Sequence, residues 1–94
     1  MRFEWDAQKS QKNARERGLP FEQAKRMDFE TALVEEDTRQ DYGERRFVVY
    51  GRIDNRLHIL CFTPIGGGIR LISLRKANLR EVTYYEQEIQ TPDE

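Results

Sequence analysis

The chain has little of what most site chemistries need. Its 94 residues include one cysteine and one histidine. A single cysteine, Cys61, excludes an internal disulfide and a cysteine-built zinc knuckle. With His58 as the sole imidazole, no serine–histidine–aspartate set can be argued for, and no metal or other cofactor is expected. No apolar run approaches the roughly 18 residues of a membrane-spanning helix. The start, Met1-Arg2-Phe3-Glu4-Trp5-Asp6, carries no apolar signal region. These absences fit a reducing cytoplasm and no membrane contact. Hydrophobic residues are also scarce, at 37%, against 35% charged. A chain of this length makes one domain and buries about 60–65% of its unfolded surface, so the core is small. A single domain over 1–89 with a frayed polar tail at 90–94 is expected. One Trp, four Tyr and five Phe argue against a disordered chain.

Charge is present and is segregated. The net charge is −1, but residues 1–27 carry +3, 28–44 carry −6, 45–80 carry +7 and 81–94 carry −5. Seven of the eight cations in 45–80 are arginine. Arginine's planar fork meets phosphate oxygens two at a time, where lysine acts as a point charge. Such segregation marks either a solvated surface laced with salt bridges or an electrostatic face for a partner.

The pattern along the chain predicts an α+β domain: a small, mostly antiparallel sheet with two N-terminal helices and a C-terminal helix, in the order β-α-α-β-β-β-β-α. Residues 2–5 read as a first strand. Asp6 is a good N-cap and Gly18 a good residue past a C-terminus, bounding a helix over 7–17. Its face of Lys9, Asn13 and Arg17, flanked by Lys12 and Arg15, is either a solvated cover or a contact for a polyanion. Pro20 opens a second helix over 20–28, with Phe21, Ala24 and Met27 as its apolar stripe. Residues 31–35 read as a strand. The acidic stretch 35–44 reads as the longest and most mobile loop. Strands follow at 46–52, 57–64 and 69–74, the last nearly all apolar and expected to be central and buried on both faces. Asp54-Asn55 marks a hairpin turn. So does Gly66-Gly67-Gly68, which joins strands, opens no helix and is therefore no phosphate loop. A last helix over 76–89 carries Asn78, Val82, Tyr85 and Ile89 on one stripe. Phe3 and Trp5 read as packing residues, and His58 as structural or solvent-facing.

Arginines remain as the candidate chemistry. Arg70 lies in an apolar strand, Arg75-Lys76 at its end, Arg80 in the next helix and Arg45-Arg46 at a neighbouring strand's start. A buried unpaired guanidinium is costly. Arg70 must therefore meet a carboxylate (Glu44, Glu81 or Glu86), open solvent or a bound anion. Several arginines on an open sheet face could stabilise the charge that builds at a phosphate in a transition state.

Two blocks resemble a known family. The first is Phe3-Glu4-Trp5-Asp6, Lys9, Asn13, Arg15 and Gly18, then Phe21-Glu22 and Ala24. The second is Ile69-Arg70-Leu71-Ile72-Ser73-Leu74-Arg75-Lys76-Ala77, Arg80-Glu81 and Tyr85-Glu86. In order and spacing, over about residues 3–86, they are similar to the opening and closing of BrnT-type toxins. The resemblance implies a RelE-like fold and a ribonuclease toxin of a type II toxin–antitoxin pair. It implies metal-independent, mRNA interferase-like cleavage by 2′-OH attack. It also implies a ribbon-helix-helix antitoxin, an RNA substrate, and operator DNA contacted only through the antitoxin. By the family pattern Lys9, Arg46, Arg70 and Arg75 lie near the phosphate, while Glu44, Glu81 and Tyr85 carry or orient protons. Lys12, Arg15, Arg17, Lys76 and Arg80 join Arg46 in binding RNA. The family's Lys-His-Gly at the end of the first helix is here Glu16-Arg17-Gly18. An arginine there is a poor general base, which keeps open a second reading: a catalytically impaired homologue serving as a protein-binding module in an antitoxin–DNA complex.

Overall fold

Chain order in the computed structural model, which describes residues 1–90, begins with β1 (Arg2–Glu4) and α1 (Ala7–Arg17). A 3₁₀ helix (Phe21–Arg26), β2 (Asp28–Glu36), β3 (Phe47–Ile53), β4 (Arg56–Ile65), β5 (Gly68–Lys76) and α2 (Leu79–Gln90) follow. The strands form one mixed sheet in the order β1-β5-β4-β3-β2. β2–β3, β3–β4 and β4–β5 pair antiparallel, and β1 pairs parallel with β5. The domain is α+β, with two α-helices among the described residues rather than three. Of the expected tail at 90–94, Gln90 ends α2 and the rest lies outside the described residues.

α1 has the caps its sequence calls for. Asp6 Oδ1 accepts from the backbone N–H of Gln8 at 2.8 Å, and Gly18 closes the helix at φ 68°, a conformation that glycine adopts without a Cβ penalty. Polar ties hold α1 down where apolar area is lacking. The Asn13 amide donates to the carbonyls of Leu19 and Leu74, at 2.7 and 2.8 Å, and the buried Ser10 hydroxyl accepts from Phe21 N–H at 2.9 Å. Asn13 thus points inward and does not share a solvent face with Lys9.

The second helix is 3₁₀ rather than α. Its apolar residues recur every third position, which suits three residues per turn better than 3.6. Phe21 and Ala24 are buried, and Met27 buries its side chain after the backbone has already turned extended.

The expectation that 69–74 is central and buried on both faces is also corrected. β4 is the middle strand. In β5, Ile69, Leu71 and Leu74 are buried while Arg70 and Ser73 are exposed. The apolar run comes from a bulge. Cys61 pairs Ser73 and Phe62 pairs Leu71, leaving Ile72 over. One extra residue shifts the alternation, so both halves of the strand keep their apolar side toward the same core.

That core has two parts. On one face Leu19, the 3₁₀ helix and Met27 cover Val49, Ile53, Leu60, Ile69, Leu71 and Leu74, with Phe3 and Trp5 packed alongside, and α1 is tied to this layer through Ser10 and Asn13. On the other face Tyr85 of α2 packs with Leu57, Ile59 and Ala77, flanked by Leu33, Val48, Tyr50 and Val82. β1 and β2 are the two sheet edges, yet the rings of Phe3 and Phe29 lie 6.2 Å apart. The sheet therefore curls enough to bring its edges into aromatic contact.

Candidate active site

α2 covers only part of its face of the sheet. Beside it an open cleft of about 320 Å³ is floored by Val48, Tyr50, Ile59 and Cys61 and walled by Glu35–Arg39, Arg75 and Glu81. Its position follows from the register. Tyr50 pairs Ile59, and Ile59 pairs Arg75, so the three side chains emerge on one face in neighbouring strands.

Arg75 and Glu81 form a two-pronged ion pair, Nη1 to Oε1 at 2.8 Å and Nη2 to Oε2 at 2.7 Å. Glu81 also completes a capping box. Its Oε1 accepts from Asn78 N–H at 2.9 Å, and Asn78 Oδ1 accepts from Glu81 N–H at 2.8 Å. The capping box starts α2 after Lys76 rather than at it. The hydrogen bonds from Arg75 hold the Glu81 carboxyl below its ordinary value, and Glu81 raises that of Arg75. Glu81 is thus a carboxylate at neutral pH.

Two phenols stand beside this pair, their rings 5.5 Å apart. Burial, then the nearby Glu35 and Glu81, push Tyr50 above its ordinary value. Tyr84 donates its hydroxyl to Glu35 Oε2, a bond that pushes it up to about 12. Both phenols keep their protons at neutral pH.

The acidic stretch is tied down rather than loose. Asp37, with its side chain 6% exposed, accepts from Arg39 Nε and Nη2, both at 2.8 Å, and from Tyr42 at 3.0 Å. The Arg39 guanidinium holds that carboxyl well below the usual carboxylate range. Glu36 is paired with Arg45 at 3.1 Å, and Arg46 stacks 4.1 Å over the Tyr42 ring while pairing with Glu44.

The residues singled out from the sequence are not brought to one place. Arg75 and Glu81 meet in the cleft. Arg70 is exposed farther along the same face of β5, opposite Thr63, and has no ion pair or side-chain hydrogen bond among the described residues. Glu44 lines one shallow depression with Arg70 rather than the cleft, and Arg46, paired with Glu44 and stacked on Tyr42, lines neither. Lys76 alternates to the other face, beside His58. Arg80 lies on the exposed side of α2 with Leu79.

Two placements correct the expected site. Tyr85 is 1% exposed, its hydroxyl donates to the Thr31 carbonyl at 2.7 Å, and Arg52 lies over its ring. It is a core residue rather than a proton carrier. Lys9, with Lys12, Arg15 and Arg17, belongs to α1, which packs on the opposite face of the sheet, so Lys9 does not join Arg75. His58 is buried, its Nδ1–H donates to the Arg56 carbonyl at 2.7 Å, and burial lowers its pKa. The cleft residues that sequence reasoning missed are Glu35 and Tyr50, with Tyr84 bonded to Glu35 outside the lining. Tyr50 reads as one more β former in a strong strand, and only the phase of α2 decides which of Tyr84 and Tyr85 faces inward.

Among the described residues no group of three or more His, Cys, Asp or Glu could hold a metal ion. No helix among them is long and apolar enough to cross a membrane. No curated protein and no solved structure gives a match to the chain. The model of one family, described as the ribonuclease toxin BrnT of type II toxin–antitoxin systems, matches residues 5–81. The match takes in α1, β2 to β5 and the Arg75–Glu81 pair, and it spans well over half of the chain, which therefore belongs to the BrnT family of ribonuclease toxins.

Proposed function

We propose that this toxin is a metal-independent, mRNA interferase-like endoribonuclease of RelE-like fold that cleaves RNA by 2′-OH attack on the adjacent phosphate, with the Arg75 cleft as its site. The observation that carries this reading is Arg75 itself, half-exposed and held in line by one carboxylate beside two protonated phenols. RNA brings its own nucleophile, so alignment and charge neutralisation provide most of the acceleration. A scissile phosphate would take the place of Glu81 on the two-pronged guanidinium. Glu81, no longer held by Arg75, becomes a better base and accepts the 2′-OH proton. The 2′-oxygen bonds to phosphorus, the bond to the 5′-oxygen breaks, and Tyr50 donates a proton to that leaving oxygen. Each proton transfer contributes about 10²–10⁴-fold.

Regulation follows from the same charges. A ribbon-helix-helix antitoxin with an acidic segment is the proposed neutralising partner, and operator DNA is reached only through it, with both proteins in the cytoplasm. The second reading, an impaired homologue kept as a binding module, is favoured by one observation. The only histidine, His58, is buried and has its pKa lowered, and Arg17 stands where the family pattern has its histidine. Purified toxin incubated with RNA in excess chelator decides between them. Cleavage leaving 2′,3′-cyclic phosphate and 5′-hydroxyl ends is expected. No cleavage, or growth unaffected when the toxin is induced without its antitoxin, would favour the binding module.

A further inference from the structure

Arg70 differs from the other arginines around the cleft. Arg39, Arg45, Arg46 and Arg75 each face a carboxylate. The carboxylates near Arg70 are engaged elsewhere: Glu4, its neighbour on β1, pairs with Arg2 at 3.4 Å, and Glu44 pairs with Arg46 at 3.2 Å. Arg70 therefore keeps its whole fork for an external anion. The register puts Arg75 opposite Ile59, Ser73 opposite Cys61 and Arg70 opposite Thr63. All three point to one side of the sheet, because the extra residue Ile72 shifts the alternation by one. Ile59 and Thr63 are four residues apart on β4, so the two arginines are about 13 Å apart along the strand. That is more than the step between neighbouring phosphates, and the side chains diverge: Arg75 turns to Glu81 in the cleft, whereas Arg70 lines the separate depression beside Thr63. The stretch between them carries the exposed Ser73 and lies beyond the part of the face that α2 covers.

We propose that Arg70 is a distal phosphate subsite, holding an RNA phosphate at least two positions from the one at Arg75, so that single-stranded substrate runs along β5 past Ser73. This rests on the reading of the Arg75 cleft as the cleavage site. It separates the two arginines of the closing motif: Arg75 acts at the reacting phosphate, and Arg70 sets how long an RNA must be to bind well.

The test uses the whole toxin and 2′-O-methyl RNA, which has no free nucleophile and cannot be cut, in lengths of three and ten nucleotides. Arg70→Ala should weaken the ten-nucleotide RNA about tenfold and leave the three-nucleotide RNA at its wild-type affinity. It should lower the salt slope for the long RNA by about 0.7, the value for one lost single-strand phosphate contact. Arg26→Ala, which removes a cation paired to Asp54 in the 3₁₀ helix, should do neither and controls for bulk charge. The proposal is overturned if both lengths weaken equally, which places Arg70 at the Arg75 phosphate, or if neither weakens. It is also overturned if Arg70→Glu reduces only antitoxin affinity, since the groove would then be a protein interface. Arg70 is exposed and unpaired among the described residues, so its variants should unfold at the wild-type temperature. Unmethylated RNA left intact by the wild type would overturn the nuclease reading alone, because the length dependence is read from binding.

Discussion

Arg75 and Glu81 meet through two parallel hydrogen bonds, at 2.8 and 2.7 Å, that join the end of β5 to the first turn of α2. The same carboxylate caps α2 through Asn78. One side chain therefore orders the guanidinium and starts the helix, and in the proposed mechanism it is also the base beside the anion that displaces it from Arg75. The pair keeps the arginine extended and pre-aligned, which on the proposed reading reduces the entropy lost when a phosphate binds.

Arg75→Ala should abolish RNA cleavage and growth arrest while the far-ultraviolet spectrum stays that of a folded protein. Arg75→Lys should recover little, because one ammonium cannot make a two-pronged contact. Full toxicity of both variants at equal expression would refute an arginine-centred site.

Glu81→Gln separates charge from capping, since glutamine still serves at the third helical position of a capping box. Cleavage should fall by about 10²-fold or more. Stability at pH 7 should fall by about 1 kcal/mol or less, because the pair is partly exposed to solvent. Urea denaturation measured beside single-turnover cleavage gives both numbers. A large stability loss with unchanged cleavage would make Glu81 purely structural.

Stability should fall in two steps as pH drops. The pKa of His58 is lowered in the folded chain, so the unfolded chain takes up more protons below about 6.5, and stability declines from there. Glu81 is also lowered, so its contribution is complete above the unfolded carboxyl value and is lost as pH falls through the folded one. Denaturant midpoints from pH 8 to 3 trace both steps. His58→Asn should flatten the upper step, and Glu81→Gln should reduce the lower one, which the also lowered Glu36 and Asp37 share. An unchanged upper step in His58→Asn would assign it to another group.

Gly68→Ala should detach β1. An added Cβ would lie 1.8 Å from the Arg2 carbonyl oxygen, and backbone cannot yield as a flexible side chain does. A loss of about 1–3 kcal/mol is expected, seen as a lower urea midpoint by Trp5 fluorescence. Gly66→Ala, with nothing within 4 Å of its new Cβ, serves as the mild control.

Antitoxin association should depend on α1. Lys9, Lys12 and Arg15 are exposed and have no ion-pair partner among the described residues. Reversing all three to Glu should slow association at low salt by about tenfold or more, with a smaller change in dissociation. Association at the wild-type rate would make this face a solvated cover, with the antitoxin held on the cleft side.

Much of this protein is written locally. Asp6 and Gly18 bound α1 because capping depends on one side chain and one backbone angle. The three hairpin strands follow from β-forming runs between turn residues, with Asp54 and Asn55 at φ 51° and 65° in their turn. Arg75 and Glu81 stand out through charge and motif. The spacing of Phe21, Ala24 and Met27 was also legible, but its 3₁₀ meaning was not, since a period of three over six residues fits two helix types.

What only the tertiary structure decided is which residues share a face. The bulge at Ile72 and the pleat of β5 put Arg70 and Arg75 on one side and Lys76 on the other. The phase of α2 buries Tyr85 and leaves Tyr84 with Glu35, 49 positions away in the chain. The layering sends the cations of α1 behind the sheet. Sequence specifies side-chain chemistry and local hydrogen bonding through neighbours a few bonds away. Faces, by contrast, depend on register and packing between segments far apart in the chain, where a shift of one residue moves every side chain to the opposite side.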